Sequence, residues 1–130
     1  MLRRNDLVDA WFLQARIDLQ AAKFLLSAEG EVLSGVACYH AQQSAEKALK
    51  ALLCAADREV EKTHDLVRLL DLCDDVSPLL RALAPEAILL TPLATQFRYP
   101  GIGPNPDKAL ARQAIVAAER ILSAADKALA

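Results

Sequence analysis

Hydrophobic positions recur at helical spacing along most of the chain, and they predict five helical segments. The first segment covers about residues 5–28 and ends near Gly30. Its apolar stripe contains Leu7, Val8, Trp11, Phe12, Ala15, Leu19, Ala22, Leu25 and Leu26. Asp18 projects into this stripe, so its carboxylate needs a partner or a place at the edge of the stripe.

The second segment runs from about Ser34 to Ala56 and has two contrasting faces. Its inward face consists mostly of small residues, namely Ala37, Cys38, Ala41, Ala45, Ala48, Leu49, Leu52 and Ala56. The opposite face gathers Tyr39, His40, Gln43, Glu46, Lys47 and Lys50. An Ala-rich inner face needs a polar outer face, so this second set is either a solvated surface or a binding surface.

The third segment begins at the stretch "EKTHDL", where Thr63 is the predicted N-cap and Asp65 lies in the first turn. Its buried stripe contains Leu66, Leu69, Leu70 and Cys73. A fourth segment extends from about Glu86 to Arg98, and Pro92 either kinks it or restarts it with Thr91 as the cap.

The last helix follows the loop "RYPGIGPNPD", with Asn105 as the predicted N-cap and Pro106 at the first helical position. Its stripe contains Leu110, Ala114, Ala117, Ile121 and Ala124. The sequence shows no strand pattern, repeat or low-complexity linker. We therefore predict one all-α domain over residues 1–130, a bundle of four main helices with an additional short helix.

Composition and charge narrow the function classes. The chain is 54% hydrophobic and carries a formal net charge of −2, which argues against a generally basic nucleic-acid binder. Three cysteines without a CxxC pair indicate reduced thiols rather than disulfides or zinc ligands, and we predict no metal or cofactor. No apolar run approaches the ~20 residues of a membrane span, so we expect a cytoplasmic protein without a membrane partner.

Three stretches, "YHAQQSAEKALKALL", "KTHDLVRLL" and "FRYPG", together resemble the HEPN domain family in their order and spacing. The most specific part is the pattern H-x-x-Q-x-x-E-K-x-L-K-A, which runs from His40 to Ala51. The resemblance implies an antiparallel, up-and-down helical bundle that is commonly dimeric. It also implies a minimal nucleotidyltransferase as a separate partner, because members of the family are fused to such an enzyme or encoded beside it.

Some members of this family are metal-independent ribonucleases and toxins of toxin–antitoxin pairs, whereas others bind nucleotides or RNA or act as scaffolds. The ribonucleases carry an Arg followed four to six residues later by a His. Here no His occurs after His64, so Arg98 has no such partner. We therefore predict a non-catalytic homodimer that binds a nucleotide, RNA or a separate nucleotidyltransferase. Two alternatives are a ribonuclease with His40 or His64 as general base, and a purely structural dimerisation module.

The candidate ligand-binding residues on the second helix are His40, Gln43, Lys47 and Lys50, which share one face. The lysines and the histidine are suited to phosphate, and Gln43 is suited to a base edge or a partner chain. The alternative is a solvated face, with Glu46 paired to Lys50 at i, i+4 in a structural role.

The remaining candidates lie outside the second helix. His64 either bonds locally to Asp65 or lines the same cleft as Lys47. Arg98 either meets the last carbonyls of a helix, pairs with Asp18 as a structural partner, or clamps a phosphate while Tyr99 stacks on a base.

Overall fold

All regular structure in the described part of the chain is helical. The computed structural model describes residues 3–95 and 105–129. The helices are α1 (Arg4–Leu26), α2 (Ser34–Ala55), α3 (Leu66–Leu72), α4 (Ala84–Leu90) and α5 (Lys108–Leu129), and two 3₁₀ helices span Pro78–Leu83 and Thr91–Ala94. The predicted all-α bundle is confirmed. Three helices of 22 or 23 residues form its frame, and the shorter elements lie between α2 and α5.

The second helix occupies the centre of the bundle, where it packs most extensively against α1 and α5. Sixteen of its 22 residues are buried. Small side chains at Ala41, Ala45 and Ala48 have no exposed surface, so the neighbouring helices approach closely. At one such point the Ser44 hydroxyl donates to the Ala15 carbonyl oxygen over 2.7 Å. The α1–α2 seam is therefore tight and leaves no room for larger side chains.

Contacts between residues of neighbouring helices show the direction in which each helix runs relative to α1. Trp11, Ala15 and Asp18 on α1 meet successively earlier positions on α2, from Lys50 through Ser44 to His40. Likewise Arg16 and Lys23 on α1 pair with Asp126 and Glu119 on α5. Both neighbours of α1 thus run antiparallel to it, as an up-and-down bundle requires.

The N-terminus of α3 differs from the sequence prediction by two residues. Asp65, and not Thr63, is the N-cap, because its Oδ1 accepts hydrogen bonds from the backbone N–H groups of Val67 (3.0 Å) and Arg68 (3.3 Å). Thr63 instead accepts from the Asp65 N–H through Oγ1 at 3.1 Å. A local turn formed by Thr63 therefore precedes the helix, and the carboxylate takes the capping position.

The fourth predicted segment, from about Glu86 to Arg98, begins two residues earlier and is divided. Helix α4 spans Ala84–Leu90, and the second 3₁₀ helix begins at Thr91 with Pro92 in its first turn. Thr91 does not cap this restart. Its Oγ1 donates to the Ala87 carbonyl (2.7 Å) and accepts from the Leu66 N–H (3.1 Å). One hydroxyl thus ties the end of α4 to the beginning of α3.

The last helix begins at Lys108, so the predicted cap Asn105 and first position Pro106 are wrong by two residues. Asp107 Oδ1 accepts from the Leu110 N–H at 2.8 Å, and Glu31 Oε2 accepts from the Lys108 N–H at 2.6 Å. A carboxylate from the α1–α2 connection therefore satisfies the start of α5. Within the residues described, no helix is both long and apolar enough to cross a bilayer.

Candidate functional site

Asp18, on α1, joins two side chains of α2. Its Oδ1 lies 2.8 Å from His40 Nδ1, and its Oδ2 accepts from Lys47 Nζ over 2.6 Å. The Asp18 side chain is 10% exposed, whereas His40 and Lys47 keep 30% and 22% of their surfaces. The break in the α1 apolar stripe is thus explained by two partners on α2, a lysine and a histidine. Arg98, the partner proposed from the sequence, lies outside the described residues.

Glu46 is the centre of a second group of polar contacts on the same helix. Its Oε1 lies 2.7 Å from His64 Nδ1, and its Oε2 accepts from Lys50 Nζ over 3.1 Å. Gln42 Nε2 donates both to Glu46 Oε1 and to the His64 carbonyl oxygen, each at 3.2 Å. Gln43 Nε2 donates to Gln42 Oε1 over 2.7 Å. Each of these buried polar side chains therefore has a partner within the protein.

We refer to both groups together as the polar cluster, which comprises Asp18, His40, Gln42, Gln43, Glu46, Lys47, Lys50 and His64. Trp11 of α1 borders it, with the Lys50 ammonium 5.9 Å from the Trp11 ring centroid, a cation–π distance. On the other flank, the segment that ends at His64 covers Glu46. The cluster thus lies between α1 and the residues that precede α3.

The alternative of a solvated face fails for three of the six residues on this side of α2, whereas Tyr39, His40 and Lys47 stay partly exposed. Gln43, Glu46 and Lys50 are only 8%, 4% and 7% exposed. Helical periodicity assigns one buried stripe to a surface helix, but α2 is central and is covered on several sides. Sequence reasoning also missed Gln42, which is fully buried and bridges Glu46 to the His64 backbone. Its i, i+4 spacing from Glu46 was the available signal.

His64 does not form the local hydrogen bond to Asp65 that was one of its two sequence interpretations. Its ring reaches Glu46 on α2 while its side chain stays 64% exposed, so it closes the polar cluster at the surface. Lys47 contacts the other carboxylate, Asp18. His64 and Lys47 thus bind two different carboxylates, and within residues 3–95 and 105–129 no direct contact joins them.

Both histidines use the same ring nitrogen for their carboxylate. Nδ1 faces Asp18 in His40 and Glu46 in His64. Among the described residues, Nε2 of neither ring has a protein hydrogen-bond partner. A carboxylate on Nδ1 orients the ring, so Nε2 is left to accept a proton or, in the imidazolium form, to donate one.

The charges of the cluster nearly cancel. Two carboxylates, Asp18 and Glu46, face two ammonium groups, Lys47 and Lys50. Protonated imidazoles would make the cluster positive, and only then would it attract an anion strongly. The proposed clamp Arg98 and stacking residue Tyr99 both lie outside the described residues.

The described residues offer no grouped metal ligands, and two of the three thiols are buried. Residues 3–95 and 105–129 contain no group of three His, Cys, Asp or Glu side chains able to hold a metal ion. The three cysteines are free, and Cys38 and Cys73 are buried. Burial raises the pKa of the Cys38 thiol to about 11 and that of Cys73 to about 12, so both thiols stay protonated and unreactive at neutral pH.

Comparison with known proteins gives a consistent result. The sequence profile of the HEPN domain matches residues 8–128. The fold is similar to the crystal structure of TT1696 from Thermus thermophilus, with 30% identity and a TM-score of 0.78 over 94% of this chain and 98% of that one. It is also similar to ST0689, an archaeal HEPN homologue, with 28% identity and a TM-score of 0.76 over 100% of both chains. No curated protein matches the chain.

Proposed function

Because this chain belongs to the HEPN domain family, we propose that it is a non-catalytic homodimer that binds a nucleotide or RNA at the polar cluster. One observation carries the proposal. His40 and His64 are both oriented through Nδ1 by a buried carboxylate, which leaves Nε2 of each ring without a protein partner in the described part of the chain. Two positioned imidazoles beside lysine suit a phosphate group better than an apolar ligand.

The free-energy cost of burying the charged side chains of the polar cluster supports a role other than stabilising the fold. Removing Asp18, Glu46 and Lys50 from water costs on the order of several kcal/mol per ion. Apolar residues of similar volume often give equal or greater stability at such positions. A helix that nevertheless carries this network at the centre of a small bundle is using it to fix side-chain positions, which is what a binding site needs.

The same side chains define how the ligand would be held. The Lys47 ammonium has three N–H donors and uses one on Asp18, so two are available to phosphate oxygens. Protonated His40 and His64 would each donate through Nε2. Arg98 and Tyr99 are proposed to add a phosphate clamp and a stacking surface. Because the cluster is nearly neutral, binding should be weak and should fall with salt.

A titration of the full-length chain at low ionic strength tests the proposal. ATP, UTP and a short single-stranded RNA are added in turn, and amide chemical shifts are followed by NMR. We expect shifts that map to α2 and a dissociation constant on the order of 0.1–1 mM. Lys47→Gln should weaken binding, whereas the control Lys23→Gln, which removes an α1–α5 surface pair, should not. Absence of shifts with all three probes would refute the nucleotide and RNA proposal.

Two further parts of the proposal are the partner and the compartment. A separate minimal nucleotidyltransferase is proposed as a protein partner, and copurification of the two chains is the direct test. The three free thiols suit a reducing compartment, so we propose that the protein acts in the cytoplasm.

One contact favours a second candidate, a metal-independent ribonuclease. The buried Glu46 carboxylate holds His64, whose side chain is 64% exposed, in the arrangement of a general base with its orienting acid. His64 Nε2 would take the proton of an RNA 2′-hydroxyl, whose oxygen attacks the adjacent phosphorus. Arg98 would stabilise the charged phosphorane, and the 5′-oxygen would leave as the P–O bond breaks and take a proton from water. Incubation with RNA in EDTA separates the two candidates. Cleavage that His64→Ala abolishes would establish the enzyme, and intact RNA with folded protein would exclude it.

A further inference from the structure

The side of α1 opposite the core carries exposed apolar residues where a surface helix normally carries polar ones. At about 100° per residue, a set spaced alternately three and four positions apart lies on that side. Its members are Leu7, Ala10, Gln14, Ile17, Ala21 and Phe24. We call this set the outer seam of α1. Leu7, Ile17 and Phe24 are 40%, 48% and 77% exposed, and apolar surface of this kind commonly marks a protein interface.

The first half of the outer seam forms a depression of about 190 Å³. It is lined by Leu7, Ala10, Trp11 and Gln14, and the lining is almost wholly apolar. These positions are i, i+3, i+4 and i+7, the four residues that form a hole for a side chain of a packed helix. Phe24, the most exposed large apolar residue of α1, is the corresponding knob at the far end of the seam.

Successive residues of the outer seam are three, four, three, four and three positions apart. This order of intervals is the same from either end of α1. A second copy of α1 running antiparallel therefore brings Phe24 of each chain opposite Leu7 of the other. Helical side chains lean towards their own N-terminus, which moves the Phe24 ring over the depression beside Ala10 and Trp11. A two-fold axis then uses the same knob and hole twice, as isologous association requires.

We propose that two copies of this chain pair through the outer seam of α1, antiparallel, with each Phe24 seated in the Leu7–Ala10–Trp11–Gln14 depression of the other. This inference rests on the homodimer of the proposed function and names the surface that forms it. The exposed seam residues of two copies offer on the order of 1,000 Å² of surface, the lower limit for a specific interface. The dimer is therefore a reversible one.

Sedimentation velocity of the full-length chain, from about 1 to 200 µM, tests the inference. We expect a monomer–dimer equilibrium for the natural sequence. Ile17→Glu places a charge in the middle of the seam and should raise the dissociation constant at least about 30-fold. The matched control is Ile88→Glu, which changes an equally apolar, 64% exposed residue on α4 and should leave the equilibrium unchanged. Both positions are exposed, and circular dichroism verifies that each variant is folded.

Cross-linking tests the orientation. Leu7→Cys and Phe24→Cys are made separately in a Cys54→Ser background and treated with a short bismaleimide. The antiparallel pair predicts covalent dimer when the two variants are mixed and little when either is treated alone. Dimer from each variant alone would show parallel helices and overturn the proposal.

The outcomes separate this inference from the homodimer on which it depends. If the natural chain and the Ile17→Glu variant dimerise equally, the outer seam is not the interface. The proposal of a homodimer would then still hold. A natural chain that stays monomeric at every concentration would remove both. The nucleotide titration is read independently, since it is recorded on α2.

Discussion

Asp18 Oδ2 and Lys47 Nζ lie 2.6 Å apart and join α1 to α2 where both side chains are largely buried. The contact links positions 29 residues apart, and His40 occupies the other oxygen of the same carboxylate. A single carboxylate therefore fixes the register of the two helices beside the polar cluster.

Removing only one member of this pair should be strongly destabilising. Asp18→Leu leaves the partly buried Lys47 ammonium without its counter-charge. Breaking a fully buried ion pair in this way typically costs about 3–5 kcal/mol of stability. The cost should be lower here, because Lys47 keeps some contact with solvent. We expect a loss of about 2–4 kcal/mol in the free energy of unfolding, measured by urea denaturation. The double variant Asp18→Leu, Lys47→Met should recover most of it.

The Lys23–Glu119 pair supplies the matched control, because both side chains are about half exposed. Lys23→Met should change stability by no more than about 1 kcal/mol. Equal losses for Asp18→Leu and Lys23→Met would show that the Asp18 contact has no special structural weight.

Part of this arrangement was predictable from the sequence, because the α1 stripe showed that Asp18 needed a partner. The identity of the partner was not predictable, since it depends on the register with which α1 meets His40 and Lys47. The extents of the three long helices followed from apolar periodicity, whereas α4 is shorter than the predicted segment and the 3₁₀ helix Pro78–Leu83 was not predicted. Caps were less accurate, because Thr63, Asp65 and neighbouring polar residues are all acceptable at a helix start.

The burial of Gln43, Glu46 and Lys50 on the polar face of α2 was less predictable than the partner of Asp18. The positions of Gln43, Glu46 and Lys50 indicated a surface, since amphipathic periodicity assumes that one side of a helix meets water. The structure covers that side with Trp11 and with the segment ending at His64. Non-local coverage of this kind leaves no local pattern in the sequence. Only the crowding of polar residues on an alanine-rich helix hinted at it.

Core packing gives a second prediction. Leu49 has no exposed surface, and it belongs to the hydrophobic core of the bundle. Leu49→Ala should therefore lower the free energy of unfolding by about 2–5 kcal/mol in a denaturant titration. Leu13→Ala removes the same atoms from a side chain that is 54% exposed, and it should cost far less. Similar losses at both positions would contradict the observed packing of α2.

Capping of α3 gives a third prediction. Asp65 accepts from two backbone N–H groups of the first turn, so Asp65→Ala should cost about 1 kcal/mol of stability. Thr63→Ala removes a single turn contact outside the helix and should cost less. Thermal unfolding followed by circular dichroism measures both variants. A larger loss of stability for Thr63→Ala than for Asp65→Ala would identify Thr63 as the cap.

The buried thiols give a fourth prediction, on alkaline stability. Burial raises the pKa of Cys73 to about 12, above the ordinary thiol value of 9.0 in the unfolded chain. Between these values the unfolded state releases a proton that the folded state keeps. The stabilisation from this thiol is therefore complete below about pH 9 and declines as pH rises towards 12, by roughly tenfold in the folding constant per pH unit. Urea midpoints at pH 8, 9.5 and 10.5 measure the decline.

Cys73→Ala should be less stable at pH 8, because it loses packing, but its stability should fall less steeply with pH. Parallel pH profiles for the two proteins would show that Cys73 does not contribute.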